Sequence, residues 1–179
     1  MLPSYSKGVR RLLSDAHDAA VRYRHRHIHT EFLLLGLLEE RNSATRVLRR
    51  LGADREDLRR SCEANCDYGE HNPRRGNPMD AIQRMTPRVQ QVMAIAGEEM
   101  NNLGHDALDS RHVLLGILQE DHGVAGDILR RNGITVEAVR TAIVEEDKGT
   151  APPLPDSSRV EYRSRPVQRR FGWRLFGGA

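Results

Sequence analysis

No stretch of the 179-residue sequence approaches the 18 consecutive apolar residues that a membrane span requires. Charged side chains make up 30% of the chain and the mean hydropathy is −0.63, which excludes a membrane-embedded protein. The start, Met1-Leu2-Pro3-Ser4-Tyr5-Ser6-Lys7, lacks the apolar core of a secretory signal. Cysteine is scarce. Cys62 and Cys66 alone cannot staple a chain of this length, so a reduced, cytoplasmic setting is expected. Aromatic residues number only eight, and four of them (Tyr162, Phe171, Trp173, Phe176) fall in the last 29 positions. The rest of the chain must therefore pack on Leu, Val, Ile, Ala and Met, which suits helices better than sheets. An excess of one charge sign is also missing from the body. Residues 151–179 hold six Arg against Asp156 and Glu161, and the first 150 residues hold 22 basic and 23 acidic side chains. The pI of 9.2 is thus a property of the tail. A basic nucleic-acid-binding domain is disfavoured by that split. Finally, no phosphate-loop pattern, Gly-x-Ser-x-Gly, His-Glu-x-x-His or paired-carboxylate site occurs, so ATP binding, catalysis and a cofactor are not expected.

What the sequence does contain is a duplication. Leu33-Leu34-Leu35-Gly36-Leu37-Leu38 recurs 80 residues later as Val113-Leu114-Leu115-Gly116-Ile117-Leu118. At the same offset Ser6 meets Thr86, Val9 meets Val89, Leu12 meets Val92, Ala16 meets Ala96, His25 meets His105, Ile28 meets Leu108 and Thr30 meets Ser110. One inserted residue then shifts the offset to 81, where Leu48-Arg49-Arg50-Leu51-Gly52 meets Leu129-Arg130-Arg131-Asn132-Gly133. Residues 1–66 and 84–148 read as two copies of one unit, joined by a linker over 67–83. From Gly149 a proline-rich stretch and a basic, aromatic tail follow to residue 179.

Each copy reads as four helices. Ser6 and Thr86 are N-cap residues, and Pro87 sits where its missing N–H is harmless. Apolar positions follow at helical spacing (Val9, Leu12, Leu13, Ala16, Ala20, and likewise Val89, Val92, Met93, Ala96, Met100). The second helix, capped by Thr30 or by Asp109-Ser110, is apolar on most sides and should be central. Gly52 and Gly133 are placed as C-caps of a third helix, and Asp54 and Thr135 as N-caps of a fourth carrying Cys62 and Cys66 or Val139, Ala142 and Ile143. The expected fold is all-α: an eight-helix pseudo-twofold bundle made of two four-helix repeats.

The segments Thr30-Glu31-Phe32-Leu33-Leu34-Leu35-Gly36-Leu37 and Ser110-Arg111-His112-Val113-Leu114-Leu115-Gly116-Ile117 resemble the hallmark of the Clp N-terminal repeat family. There each copy carries Gly-Thr-Glu-His-Ile-Leu-Leu-Gly-Leu. The Thr- or Ser-opened first helix and the preceding His fit as well. The resemblance covers about residues 4–146 and is closest to the ClpC type. It implies an all-helical receptor of the kind found at the front of AAA+ unfoldases, here without the ATPase modules. The implied function is a non-enzymatic adaptor, regulator or trap in a Clp protein-degradation system. The implied partners are a Clp unfoldase and its adaptors or substrates.

The resemblance further implies a phosphoarginine pocket in each repeat. A carboxylate takes the guanidinium, and a helix-opening hydroxyl with backbone N–H groups takes the phosphate. The matching positions are Ser6 and Glu31 in the first copy, which is expected to retain the pocket, and Thr86 and Arg111 in the second, where a cation replaces the carboxylate and the pocket is expected to be lost or changed. The competing reading makes Ser6 and Thr86 plain helix caps and Glu31 a complement to a helix dipole.

Three further features are less committal. His25, His27 and His29 alternate in a loop, but Arg24 and Arg26 crowd them with positive charge, and no metal is expected. Cys62 and Cys66 have neither redox nor zinc spacing and read as ordinary thiols. In the tail, Arg169, Arg170, Phe171, Trp173, Arg174 and Phe176 form a basic, aromatic run. It reads as a docking motif for a protein partner, with an anionic membrane or nucleic acid as the alternative.

Overall fold

The computed structural model describes residues 5–39, 42–71 and 83–149. The tail residues Arg169, Arg170, Phe171, Trp173, Arg174 and Phe176 and most of the linker lie outside the described residues. Within them the chain forms eight helices: α1 (Lys7–Arg22), α2 (Thr30–Glu39), α3 (Ser43–Arg50), α4 (Arg55–Glu63), α5 (Pro87–Asn102), α6 (Ser110–Gln119), α7 (Val124–Arg131) and α8 (Val136–Asp147). No strand occurs among the described residues. Two isolated bridges do, Tyr5 with Leu108 and Ile28 with Met85.

Those bridges reveal how the copies combine. Each joins the segment ahead of one repeat's first helix to the segment ahead of the other repeat's second helix. The Ser6 N–H donates to the Leu108 carbonyl at 3.1 Å and the Thr86 N–H to the Ile28 carbonyl at 3.1 Å. Helix packing crosses over in the same way: α3 lies against α6 and α8, and α7 against α2 and α4. The repeats therefore interlock as a pseudo-twofold body.

Helices α2 and α6 form the centre because they have almost no polar face. Phe32 through Leu35, Leu37, Leu38 and Val113 through Leu115 are at most 1% exposed. Each such side chain contributes roughly 2 kcal/mol by leaving water. Helix α1 turns a single stripe inward, with Val9, Leu12, Leu13, Ala16, Ala19 and Ala20 buried.

The helix ends follow local chemistry. The Ser6, Thr86 and Thr135 hydroxyls each accept the backbone N–H three residues on. Asp54 and Asp109 carboxylates cap α4 and α6. Gly52 and Gly133 follow the last turns of α3 and α7 at φ 74° and 78°, the left-handed region where glycine has no Cβ penalty. Two expectations need correcting. Thr30 is the first residue of α2 rather than its cap, and its hydroxyl turns to Glu31 Oε2 at 3.4 Å. Cys66 lies beyond α4, because the chain leaves the helix after Glu63 and folds back onto the end of α1. There the Gly69 N–H reaches the Tyr23 carbonyl at 2.9 Å, and His25 Nε2 lies 2.8 Å from the Asp67 carbonyl.

Arg24 takes φ 60° where the second repeat has Gly104 at φ 72°. A non-glycine residue in that region costs on the order of 1 kcal/mol. Arg24→Gly is therefore expected to stabilise the domain by roughly 0.5–1 kcal/mol, read as a higher midpoint in urea denaturation. A lower midpoint would show that the arginine side chain contributes more than its backbone costs.

Candidate functional site

The pseudo-twofold arrangement creates a junction wherever one repeat's first helix begins beside the other repeat's second helix. At the junction headed by Ser6, a groove of about 370 Å³ opens. One side is the start of α1, with Ser6, Lys7 and, a turn further along, Arg11 and Asp15. The floor is Leu12 with Gly36. The opposite side is Asn42-Ser43 from α3 and Asp109-Ser110 from α6.

That opposite wall is tied across the repeats. The Ser110 hydroxyl accepts the Ala44 N–H at 3.1 Å and donates to Asn42 Oδ1 at 3.2 Å; Ser43 Oγ lies 2.8 Å from it. Asn42 in turn caps α3 in a capping box with Thr45. The groove thus pairs a helix start bearing two cations with a preset wall of hydroxyl, amide and carboxylate groups. With Asp15 and Asp109 beside Lys7 and Arg11, and Leu12 and Gly36 at the floor, the groove is balanced in charge and suits a ligand with both polar and apolar groups.

The junction headed by Thr86 differs. The counterparts of Lys7, Arg11 and Asp15 are Pro87, Gln91 and Ile95, which carry no charge. The N-cap of α7 is Gly123, which has no side chain to cap with. The Glu120 carboxylate stands there instead, 3% exposed, accepting the His122 N–H at 3.3 Å and lying 3.5 Å from Arg88. A Cβ at Gly123 would fall 2.3 Å from Glu120 Oε2 and 3.2 Å from the Thr30 side chain. The two junctions therefore present different chemistries.

Backbone hydrogen bonds set each helix-opening hydroxyl residue beside the segment that leads into the other repeat's second helix. Ser6 sits by Leu108, three residues ahead of Arg111, and Thr86 sits by Ile28, three residues ahead of Glu31. The within-copy pairing of Ser6 with Glu31 is accordingly replaced by Thr86 with the Glu31 segment. Physically, each repeat's first helix is anchored by backbone hydrogen bonds to its sister.

Glu31 is half-buried. Arg111 is tied down between Asp109 Oδ2 at 2.9 Å and Asp147 Oδ1 at 2.7 Å. Burial works against its charge, but these carboxylates outweigh that and hold its pKa above the ordinary value. Its charge is spent inside the second repeat.

The remaining candidates separate. His25 and His29 stack edge to face, with ring centroids 5.3 Å apart, and both pack on Phe32. Burial lowers the His29 pKa, and His25 and His27 add to this, against the opposite pull of Glu31. Among the described residues no group of three His, Cys, Asp or Glu gathers closely enough to hold a metal. The buried Cys62 thiol donates to the Glu31 carbonyl at 3.2 Å, and its contact with the Cys66 thiol together with burial pushes its pKa far up. No helix among the described residues is long and apolar enough to cross a membrane.

Sequence reasoning missed Lys7, Arg11, Asp15, Asn42 and Ser43 as groove residues. For Lys7, Arg11 and Asp15 a signal was present in the loss of charge at their repeat partners Pro87, Gln91 and Ile95, but which helices meet was not visible.

The Clp repeat (R) N-terminal domain family matches residues 4–132. The chain belongs to this family. Among curated relatives, it is 29% identical over 146 residues to the negative regulator of genetic competence ClpC/MecB of Bacillus subtilis (strain 168), covering 81% of this chain and 17% of that protein. It is 32% identical to the chaperone protein ClpC2, chloroplastic, of Oryza sativa subsp. japonica, covering 80% of this chain and 15% of that one. The chain thus spans less than a fifth of the length of these relatives. Among solved structures, the N-terminal domain of the caseinolytic protease associated chaperone ClpD from Arabidopsis thaliana superimposes with a TM-score of 0.61 at 21% identity, covering 83% of this chain and 98% of that domain. The Hsp104 N-terminal domain from Candida albicans gives a TM-score of 0.64 at 15% identity, covering 82% and 93%. These likenesses establish the Clp N-terminal fold, and family membership links the chain to the Clp chaperone systems.

Proposed function

We propose that this Clp repeat domain is a non-catalytic receptor in a ClpC-type protein-degradation system, acting as an adaptor, regulator or trap for clients or adaptors. Its partners are a Clp AAA+ unfoldase and that unfoldase's adaptors or substrates. The observation that supports this most is the pair of Clp repeats locked into one body, with a groove open at the Ser6 junction.

In a reconstituted Clp protease, an adaptor accelerates degradation of a client and a trap slows it. Unchanged degradation together with no association with the unfoldase would end the proposal.

A phosphorylated-arginine client belongs to the same reading. The guanidinium partner is Glu31, and the phosphate meets the Thr86 hydroxyl and the start of α5. Ser6 offers the same helix start, but the segment facing it carries Arg111 in place of Glu31 and so supplies no carboxylate at that position for a guanidinium. Titration with a phosphoarginine peptide is expected to show binding that weakens at least tenfold in Glu31→Ala and changes little in Ser6→Ala. Binding that survives Glu31→Ala unchanged would leave Glu31 a helix-dipole complement.

A further inference from the structure

Four groups in the second repeat form a continuous hydrogen-bonded chain. The Asp109 N–H lies 3.0 Å from His112 Nδ1, His112 Nε2 lies 2.7 Å from His105 Nδ1, and His105 Nε2 lies 2.9 Å from Asp147 Oδ2. Its polarity is forced. A backbone amide only donates, so His112 Nδ1 accepts and the His112 proton resides on Nε2. That proton is donated to His105 Nδ1, which leaves the His105 proton on Nε2, pointing at a carboxylate.

Both rings are thus neutral, and all four ring nitrogens are engaged. A further proton has two nitrogens available, and each already faces an N–H. On His105 Nδ1 it would confront His112 Nε2–H; on His112 Nδ1 it would confront the Asp109 amide.

The surroundings compensate such a charge only in part: Asp109 Oδ1 lies 3.4 Å from His112 Nδ1 and Asp147 Oδ2 2.9 Å from His105 Nε2. His112 is fully buried. Asp109 and Arg111 face it from α6 and Asp147 from α8, and the Arg111 guanidinium already pairs with both carboxylates. On α5, the buried Glu99 is held by Arg140 of α8. Burial, reinforced by His105 and Arg111, keeps the His112 pKa below its ordinary value despite the pull of Asp109 and Asp147.

We propose that the Asp109–His112–His105–Asp147 chain is a proton-sensitive clasp. While both imidazoles are neutral, it reinforces the Arg111–Asp147 ion pair in holding the start of α6 to the end of α8; uptake of one proton breaks the imidazole links and leaves the ion pair alone. Asp109 and Ser110 at the start of α6 are a wall of the Ser6 groove. The clasp therefore makes that wall responsive to pH, whatever ligand the groove takes.

The first repeat supplies an internal control. It has Phe32 at the His112 position, with the His25 ring 5.0 Å away, so the fold accommodates an aromatic ring without nitrogens there. His112→Phe is expected to fold.

The sign follows from linkage. The unfolded chain protonates this imidazole near pH 6.5 and the clasped state does not, so the contribution to stability is full above about pH 6.5 and is lost below it. Between pH 7.5 and 5.5 one such imidazole raises the unfolding equilibrium constant about tenfold.

The test uses the full chain and its His112→Phe variant, unfolded in urea at both pH values. Ring ¹⁵N spectra and amide exchange at Asp109 complete it. The expected results are a rise in the unfolding constant about tenfold larger in the wild type, and a His112 ring carrying its proton on Nε2 while folded. Asp109 amide protection, corrected for the intrinsic exchange rate, should fall on acidification. Equal pH dependence in the two proteins overturns the proposal. So does a folded state in which His112 is an imidazolium with the Asp109 amide still protected. Should the variant fail to fold, the ring spectra and amide exchange of the wild type decide alone.

Discussion

Gly116→Ala is expected to destabilise the domain by about 3 kcal/mol, and Gly36→Ala by a similar amount, both read from urea denaturation. A Cβ at Gly116 would lie 2.3 Å from the Val92 carbonyl oxygen, and one at Gly36 would lie 2.6 Å from the Leu12 carbonyl oxygen and the Ala16 nitrogen. In each case the obstacle is backbone of the facing helix, which its own hydrogen bonds hold in place. The helices α1 and α2, or α5 and α6, would have to move apart along their whole contact, leaving voids around side chains that are now fully buried. The intrinsic helix preference of Ala over Gly, about 1 kcal/mol, works in the opposite direction and is overwhelmed. Gly97 isolates that opposing effect. It lies within α5, and a Cβ added there would meet nothing within 4 Å, so Gly97→Ala is expected to stabilise by up to about 1 kcal/mol. Changes of the same sign at Gly97 and Gly116 would refute the close-approach argument.

Arg140→Ala is expected to cost about 2–3 kcal/mol. Arg140 grips Glu99 with two hydrogen bonds, Nε to Oε2 at 3.2 Å and a terminal nitrogen to Oε1 at 2.8 Å. Glu99 is 4% exposed, so removal of the guanidinium strands a carboxylate in the interior. The arginine itself is partly open to solvent, which keeps the figure below that of a wholly buried pair. Burial raises the Glu99 pKa, but the Arg140 hydrogen bonds and charge outweigh it and hold the carboxyl below its ordinary value of 4.5. A lowered carboxyl pKa contributes stability above the unfolded pKa and loses it as pH falls through the folded one. The gap between wild type and variant should therefore be full above about pH 4.5 and narrow in more acid solution. Arg60→Ala, which breaks the exposed i,i+3 pair with Asp57, is the comparison, with an expected cost below about 0.5 kcal/mol. Glu99→Gln should recover part of the loss in the Arg140→Ala background, because a neutral amide tolerates burial without a cation.

Much of the local architecture was legible residue by residue. Ser6, Thr86, Asp54 and Thr135 cap the helices whose starts they mark in the sequence, because an N-cap depends only on a side-chain oxygen and the backbone a few residues on. The centrality of α2 and α6 followed from segments too apolar to offer a solvent face. Where expectation and structure part, a distant segment intervenes. Cys66 fell outside α4 because Asp67 and Gly69 return to the end of α1, whereas the Thr30 hydroxyl turned to its immediate neighbour Glu31. The His105–His112 pair was hidden for the same reason as Cys66. His105 was visible as the partner of His25, but nothing in the order of residues announced that Asp147, 42 positions away, would complete the chain of hydrogen bonds.

From the amino-acid order alone came the duplication and the eight helices, which rest on periodicity and caps, and, through the resemblance of two repeated segments, the family. The tertiary structure decided which copies of those motifs meet. It placed Ser6 with the segment before Arg111 and Thr86 with the segment before Glu31, and it left the two junctions chemically unlike. The physical reason is that each repeat buries its apolar faces against the other, so the neighbours of a functional side chain come from the sister copy, at a sequence separation no local pattern encodes.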